Sequence, residues 1–323
     1  MNGYSLMCGD SRSVLQTLPE NSVHCCVTSP PYFNLRDYGV NGQIGIEETP
    51  ETYINALVEV FREVRRVLRP DGTAWVNIAD TYAANRTYQL HDTRGTKDHT
   101  DSKGSKVPTG CKPKDMIGIP WMLAFALRDD GWYLRQDIIW QKPNCMPESV
   151  KDRCTKSHEH IFLLSKSPQY YFDAEAISEP IAESSKKRFL QDIERQTGSN
   201  RQPGKTNGAM KAAMPRFGRG KDGEQGVKEY VPILRRNKRD VWSISTKGFK
   251  GAHFAVFPEE LVEPCVFAGS PINGTVLDPF CGSGTVGVVS LKNGRDFIGI
   301  ELNPAYVEIA QERIRRVKEI QPS

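Results

Sequence analysis

Thr28-Ser29-Pro30-Pro31-Tyr32 closes the apolar run Val23–Val27. Two consecutive prolines remove two N–H donors and stiffen the chain. The Pro30 carbonyl is thereby fixed beside the Ser29 hydroxyl, with the Tyr32 ring next to both. Two acceptors at that spacing can grip the two N–H bonds of an amine conjugated to an aromatic ring. They favour a pyramidal nitrogen and aim its lone pair, while Pro31 keeps the turn rigid and Tyr32 stacks on the ring. Such a site works by positioning and electrostatics, without a covalent intermediate. A rigid turn with an incidental tyrosine is the better account of these five residues when they are taken alone.

The second chemical cluster lies near the other end. Thr275-Val276-Leu277-Asp278-Pro279-Phe280-Cys281-Gly282-Ser283-Gly284-Thr285 reads as a strand, a glycine turn and the start of a helix. Gly282 and Gly284 let backbone approach a ligand closely. Asp278 stands at the carboxyl end of the strand, where open α/β sheets bind ligands. Some twenty residues later Phe297-Ile298-Gly299-Ile300 ends in Glu301, a carboxylate able to accept from both hydroxyls of a ribose. Gly282–Gly287 also fits GxGxxG, so a dinucleotide site stays open, as does a tight turn with no ligand. Asp278-Pro279 would repel a pyrophosphate and suits a cationic or zwitterionic ligand, such as the amino-acid end of S-adenosylmethionine.

The elements that must hold these residues alternate. Val23–Ser29, Thr73–Ala79, Gln136–Gln141, Ile161–Leu164, Gly274–Phe280 and Phe297–Leu302 read as short strands, several apolar throughout, as in a sheet covered on both faces. Ile54, Leu57, Phe61, Val64 and Leu68 fall on one face of a helix over Glu51–Leu68. Thr49-Pro50 opens that helix and Arg69-Pro70-Asp71-Gly72 stops it. Asn303-Pro304 opens a last helix through Arg315, and Glu259–Ala268 is a further helical run. This alternation predicts a mostly parallel α/β sheet. Two stretches break it: residues 84–115, polar and aperiodic, predict a long mobile loop. Residues 181–240 hold 15 Lys and Arg against 7 Asp and Glu, although the whole 323-residue chain carries only +4. That concentration points to a polyanion partner.

Composition excludes several classes. Mean hydropathy is −0.50, and no run of 18 apolar residues offers a membrane span. Met1–Ser5 lacks a basic start followed by an apolar run, which argues against a secretory signal. Eight scattered cysteines without a CxxC pair read as reduced thiols in the cytoplasm. Cys145, Cys154, His158 and His160 have no metal-ligand spacing, so no metal is expected. Pro264-Cys265 sits in an apolar helix and reads as core rather than a nucleophile.

Taken together, the two clusters resemble the DNA amino-methyltransferases. The tetrapeptide precedes the glycine turn, as in the permuted β class, in which a target-recognition region lies between them. Further segments resemble the family's motifs: Cys8-Gly9-Asp10-Ser11, Gly72–Asn77, Trp140-Gln141-Lys142-Pro143-Asn144, His253–Glu259 and Glu301–Tyr306. The resemblance covers roughly 1–165 and 240–315. It implies a Rossmann-like, seven-stranded S-adenosylmethionine-dependent methyltransferase sheet built from 1–144 and 246–323, with 145–245 as a basic target-recognition region. It implies that Ser29, Pro30, Pro31 and Tyr32 are catalytic. Asp10, Thr28, His253, Phe254, Pro258, Asp278, Pro279, Phe280, Gly282, Ser283, Gly284, Thr285, Glu301 and Asn303 would hold S-adenosylmethionine, and Trp140, Lys142 and Pro143 the substrate base. Serine at the first tetrapeptide position marks most cytosine-N4 enzymes of the family and aspartate most adenine-N6 enzymes. Cytosine N4 in duplex DNA is therefore the expected target and adenine N6 the alternative. An RNA or protein-glutamine methyltransferase is more distant. The partners implied are double-stranded DNA and, in a restriction system, a cognate endonuclease, with a monomer or homodimer and no membrane.

Overall fold

The computed structural model describes residues 3–83, 108–184, 186, 235–246 and 258–320. His253, Phe254 and most of the basic stretch 181–240 lie outside the described residues. Compactness divides the chain into one unit of Met1–Ile177 with Arg239–Ser323 and a second of Ser178–Lys238.

Among the described residues, the larger unit is built on eight strands. They are β1 (Tyr4–Cys8), β2 (Val23–Thr28), β3 (Leu68–Ile78), β4 (Tyr133–Gln141), β5 (His158–Ser165), β8 (Val241–Ser243), β9 (Thr275–Asp278) and β10 (Asp296–Glu301). Their order is β1-β10-β9-β2-β3-β5-β4-β8. Every neighbouring pair is parallel except those that β5 makes with β3 and β4. The eighth strand, one more than the resemblance implies, is the three-residue β8 on the edge of β4. In the smaller unit, β6 (Glu179–Pro180) and β7 (Arg235–Arg236) form an antiparallel ribbon.

Helices cover both faces, which explains why the strands read as apolar throughout. One core joins the sheet to α1 (Ser11–Leu15), α2 (Pro50–Val67) and α3 (Ile119–Asp129). The other joins it to α4 (Glu259–Gly269), α5 (Thr285–Lys292) and α6 (Pro304–Ile320). Among the described residues, no helix is long and apolar enough to cross a membrane.

Helix α2 follows its sequence signals. Thr49 Oγ1 accepts from Thr52 N–H at 3.1 Å, Pro50 fills the first turn, and Ile54, Leu57, Phe61 and Val64 are buried. Its stop acts differently from expectation. Strand β3 begins at once at Leu68, and Arg69–Gly72 lie inside it. The register with β2 jumps from Val23↔Leu68 to Cys25↔Thr73, so these residues form a bulge that keeps Pro70 out of the ladder.

The insertion is also narrower than 145–245. Strand β5 falls within that range, yet Ile161, Phe162, Leu163 and Leu164 are buried between β3 and β4. β8 pairs with β4. Burying those apolar side chains anchors 158–165 in the sheet, and the compact insertion shrinks to Ser178–Lys238. Residues 84–107 of the expected mobile loop lie outside the described residues, and the chain on either side of them is paired. Ala83 N–H donates to the Asp115 carbonyl at 2.8 Å and Ile117 N–H to the Thr81 carbonyl at 3.0 Å.

Helix α4 approaches the sheet at a glycine. A Cβ on Gly269 would lie 2.5 Å from Cys25 Sγ, 2.7 Å from Trp75 Nε1 and 2.9 Å from Thr73 Oγ1. Gly269→Ala should destabilise the fold by roughly 1–3 kcal/mol, as overpacking does elsewhere. Chemical denaturation would measure it, and an unchanged midpoint would contradict this packing.

Candidate active site

Strands β2 and β9 are parallel neighbours, with Cys25↔Val276 and Cys26↔Leu277 in register. Their carboxyl ends therefore share one edge of the sheet. There Thr28 Oγ1 donates to Asp278 Oδ1 at 2.7 Å, and both residues are 1% exposed. Phe280 N–H donates to the same oxygen at 3.1 Å. Burial pushes the Asp278 carboxyl up to about 7, against the downward pull of those two bonds. Asp278 is thus a brace at the root of the glycine turn, withdrawn from solvent.

The turn is set by backbone geometry. Gly282 and Gly284 have φ of +51° and +80°, where a side chain is strained. A Cβ at Gly282 would meet only the Phe280 carbonyl, at 4.0 Å, so the space over this glycine is open. At Gly284 it would lie 2.9 Å from Ala310 Cβ. At Gly287, the third glycine of the pattern, it would crowd Phe297 and Ile314, so that glycine serves packing. Gly282 N–H donates to Glu301 Oε2 and Asn303 N–H to Glu301 Oε1, both at 2.8 Å. Burial raises Glu301 above the usual carboxylate range, opposed by these backbone donors. Each oxygen keeps a second lone pair for a ligand hydroxyl.

Several residues expected at the cofactor have protein partners. Arg313 Nη1 donates to Ser283 Oγ at 2.8 Å and to Thr285 Oγ1 at 3.1 Å. The Asn303 side chain accepts from Ala305 N–H at 3.0 Å at the start of α6. Asp10 caps α1 by accepting from Arg12 N–H at 2.9 Å and ion-pairs with the Arg12 side chain. That arginine holds its carboxyl below the usual range. Ser11 Oγ donates to the Pro279 carbonyl at 2.5 Å, and Pro258 is buried at the start of α4. Tyr38 and Tyr306, their rings edge to face at 6.3 Å, stand in the field of Glu301, which adds to the burial that raises both phenols. Nothing in the spacing around Tyr38 singles it out.

At the end of β2 the tetrapeptide is held by a polar cluster. Tyr53 donates its hydroxyl proton to the Pro31 carbonyl at 2.8 Å. The Pro30 carbonyl accepts no hydrogen bond among the described residues. Ser29 Oγ donates to Tyr32 Oη at 3.3 Å, and Tyr32 Oη donates to Glu159 Oε2 at 2.7 Å. Asn77 Nδ2 donates to Tyr32 Oη at 2.8 Å and to Glu159 Oε2 at 2.9 Å. Lys142 Nζ pairs with Glu159 Oε1 and stands 4.2 Å from the centroid of the Trp140 ring. Burial and the adjacent Glu159 push the Tyr32 phenol well up, so it stays protonated. Trp140 is buried and donates Nε1–H to the Ile244 carbonyl at 2.8 Å, which makes it a wall, whereas Pro143 is exposed. Glu159 lies outside the sequence expectations; an acid just before the apolar run 161–164 of β5 is its only signal.

Other candidates resolve into structure. Cys25, Cys26 and Cys281 are buried and burial raises all three thiols, Cys25 to about 12. His160 Nδ1 lies 3.0 Å from Asp137 Oδ1 and its ring stacks on Phe162.

A family model described as DNA methylase, covering N6 and N4 methyltransferases, matches residues 23–312. The type II methyltransferase M.Cfr9I of Citrobacter freundii is 46% identical over 316 residues, covering 98% of this chain and 89% of the relative. The structure of the PvuII DNA methyltransferase, described as cytosine-N4-specific, aligns with a TM-score of 0.61 at 19% identity, over 99% of this chain and 91% of that one. A Thermus thermophilus protein solved with S-adenosyl-L-methionine aligns with a TM-score of 0.56 at 24% identity, over 98% of this chain and 95% of that one. The chain belongs to the DNA methylase family.

The raised Asp278 carboxyl makes a stability prediction. The folded state keeps its proton to about pH 7 and the unfolded chain only to about 4. Stability derived from this group is full below pH 4 and falls as pH rises to 7. Asp278→Asn should remove that slope. The difference in unfolding free energy between wild type and variant should shift against the wild type by roughly 2–4 kcal/mol across pH 4–7. A pH-independent difference would contradict the buried carboxyl.

Proposed function

We propose that this DNA methylase transfers a methyl group from S-adenosylmethionine to the exocyclic N4 amine of a cytosine flipped out of duplex DNA. The observation that carries the reading is the Thr28–Asp278 bond, which seats the amine-gripping tetrapeptide beside the glycine turn. The residues at the turn fit the cofactor. Glu301 keeps lone pairs for ribose hydroxyls, the space over Gly282 is open, and Asp278 can ionise beside a cation. When bound, the sulfonium would supply an electrophilic methyl group without a protein nucleophile, and the proton that the methylated amine must lose passes to solvent.

The chain's own residues handle the amine. Ser29 Oγ and the Pro30 carbonyl each accept one N–H, turning the nitrogen lone pair toward the methyl donor. Tyr32, held at its hydroxyl by Glu159, leaves its ring face for the base. Extruding the base costs about a few kcal/mol, offset by stacking and pocket contacts. Ser29 supports cytosine, as does the cytosine-N4-specific description of the PvuII enzyme of the same fold. Adenine N6 is the second reading, because the family covers both amines and either would accept the same grip. The tetrapeptide-first order supports the permuted β class. The basic stretch 181–240 suits phosphate contact and base reading. The type II relative supports a role beside a restriction endonuclease.

Transfer of labelled methyl groups from S-adenosylmethionine to duplex DNA tests the reading. Ser29→Ala should slow transfer at least tenfold, about 1.4 kcal/mol of barrier, with cofactor affinity unchanged. An unaltered rate would sink the amine grip. Glu301→Ala should weaken cofactor binding at least tenfold by calorimetry, and an unaffected affinity would refute the ribose role.

A further inference from the structure

The direction of each hydrogen bond around Ser29 is fixed by Glu159. This glutamate is the second residue of β5, is 8% exposed, and has its charge matched by Lys142. An ionised carboxylate only accepts. Its Oε2 takes the single hydroxyl proton of Tyr32 at 2.7 Å. Tyr32 Oη then has only lone pairs to offer, and Asn77 Nδ2 donates to one of them at 2.8 Å. Ser29 Oγ, 3.3 Å away, can join this oxygen only as a donor. Asn77 Nδ2, at 3.5 Å from Ser29 Oγ, is likewise a donor and offers the serine proton no alternative acceptor. The Ser29 proton is thus spent inward on Tyr32, and a lone pair of Ser29 Oγ is left for an incoming N–H.

We propose that Glu159 is a positioning residue that, acting through Tyr32, holds Ser29 as a hydrogen-bond acceptor toward the target amine. The inference rests on the amine-gripping role of Ser29 and adds the residue that enforces it. Glutamine at 159 would break the chain. Lys142 offers donors only, so the amide oxygen would turn to Lys142 and the amide NH₂ to Tyr32 and to Asn77, whose own NH₂ lies 2.9 Å from Glu159 Oε2. Tyr32 would lose the carboxylate that takes its proton, and the Ser29 proton would no longer be held away from the amine.

The test uses the full chain, duplex DNA and S-adenosylmethionine, with rates read on whichever base the wild type methylates. An error about cytosine would then show in the wild type and leave this comparison standing. Glu159→Gln should lower kcat at least tenfold, with KM for DNA and for cofactor within about twofold of wild type. Tyr32→Phe breaks the same chain while leaving Glu159 intact, and should also lower kcat with little change in KM. In the Tyr32→Phe background, adding Glu159→Gln should cost no more than about a further twofold, because both act through one hydroxyl. A kcat within twofold of wild type for Glu159→Gln would overturn the proposal. So would independent, multiplicative losses in the double variant, or a loss confined to KM. Should Glu159→Gln fail to fold, Tyr32→Phe decides alone, and an unchanged kcat there overturns the proposal.

Discussion

A single buried hydrogen bond ties the two halves of the site together. Thr28 and Asp278 are 250 residues apart in the chain, yet their side chains meet at 2.7 Å where β2 and β9 end. The pairing of those strands brings the motifs to one edge, and the bond fixes their relative position. It carries a cost. Withdrawing a carboxyl from water raises it to about 7, so burial disfavours the charged form of the brace relative to an exposed carboxylate. A cation bound at the turn would reverse that preference, which couples the state of the brace to occupancy of the site.

Around that brace the site separates backbone and side-chain tasks. The turn offers two left-handed glycines and a glutamate whose oxygens are aligned by backbone N–H groups. The tetrapeptide offers acceptors, kept as acceptors by a buried carboxylate and its lysine partner. The side chains of Ser283, Thr285 and Asn303 accept hydrogen bonds from Arg313 or from the first turn of α6, which stiffens the loop. Catalysis by positioning needs that stiffness, because a poorly held acceptor cannot aim a lone pair.

Legibility in the sequence follows the range of the interactions. Helix α2 can be read because its cap, its proline and its apolar spacing are all local. Ser29–Tyr32 and Gly282–Gly284 can be read because proline and glycine change the backbone directly. Helix α3 is harder to read: it opens at Gly118 with φ of +86° and no capping side chain of its own, leaving Pro120 in its first turn as the local start signal, while Asp80 Oδ1 accepts from Ile119 N–H at 3.0 Å from a distant part of the chain. Strand β5 is recognisable by its residues, but its place between β3 and β4 is not, because antiparallel insertion depends on pairing rather than pattern. For the same reason Asn77 and Glu159 are invisible in the sequence as partners of Tyr32. They are 82 residues apart and meet only through the β3–β5 register.

The central claim is that Ser29 and Pro30 grip the N4 amine of cytosine. Mass spectrometry of nucleosides from duplex DNA methylated by the purified protein tests it most directly. The account predicts N4-methylcytosine, formed in proportion to the methyl groups transferred. N6-methyladenine in its place would contradict the assignment of the target base.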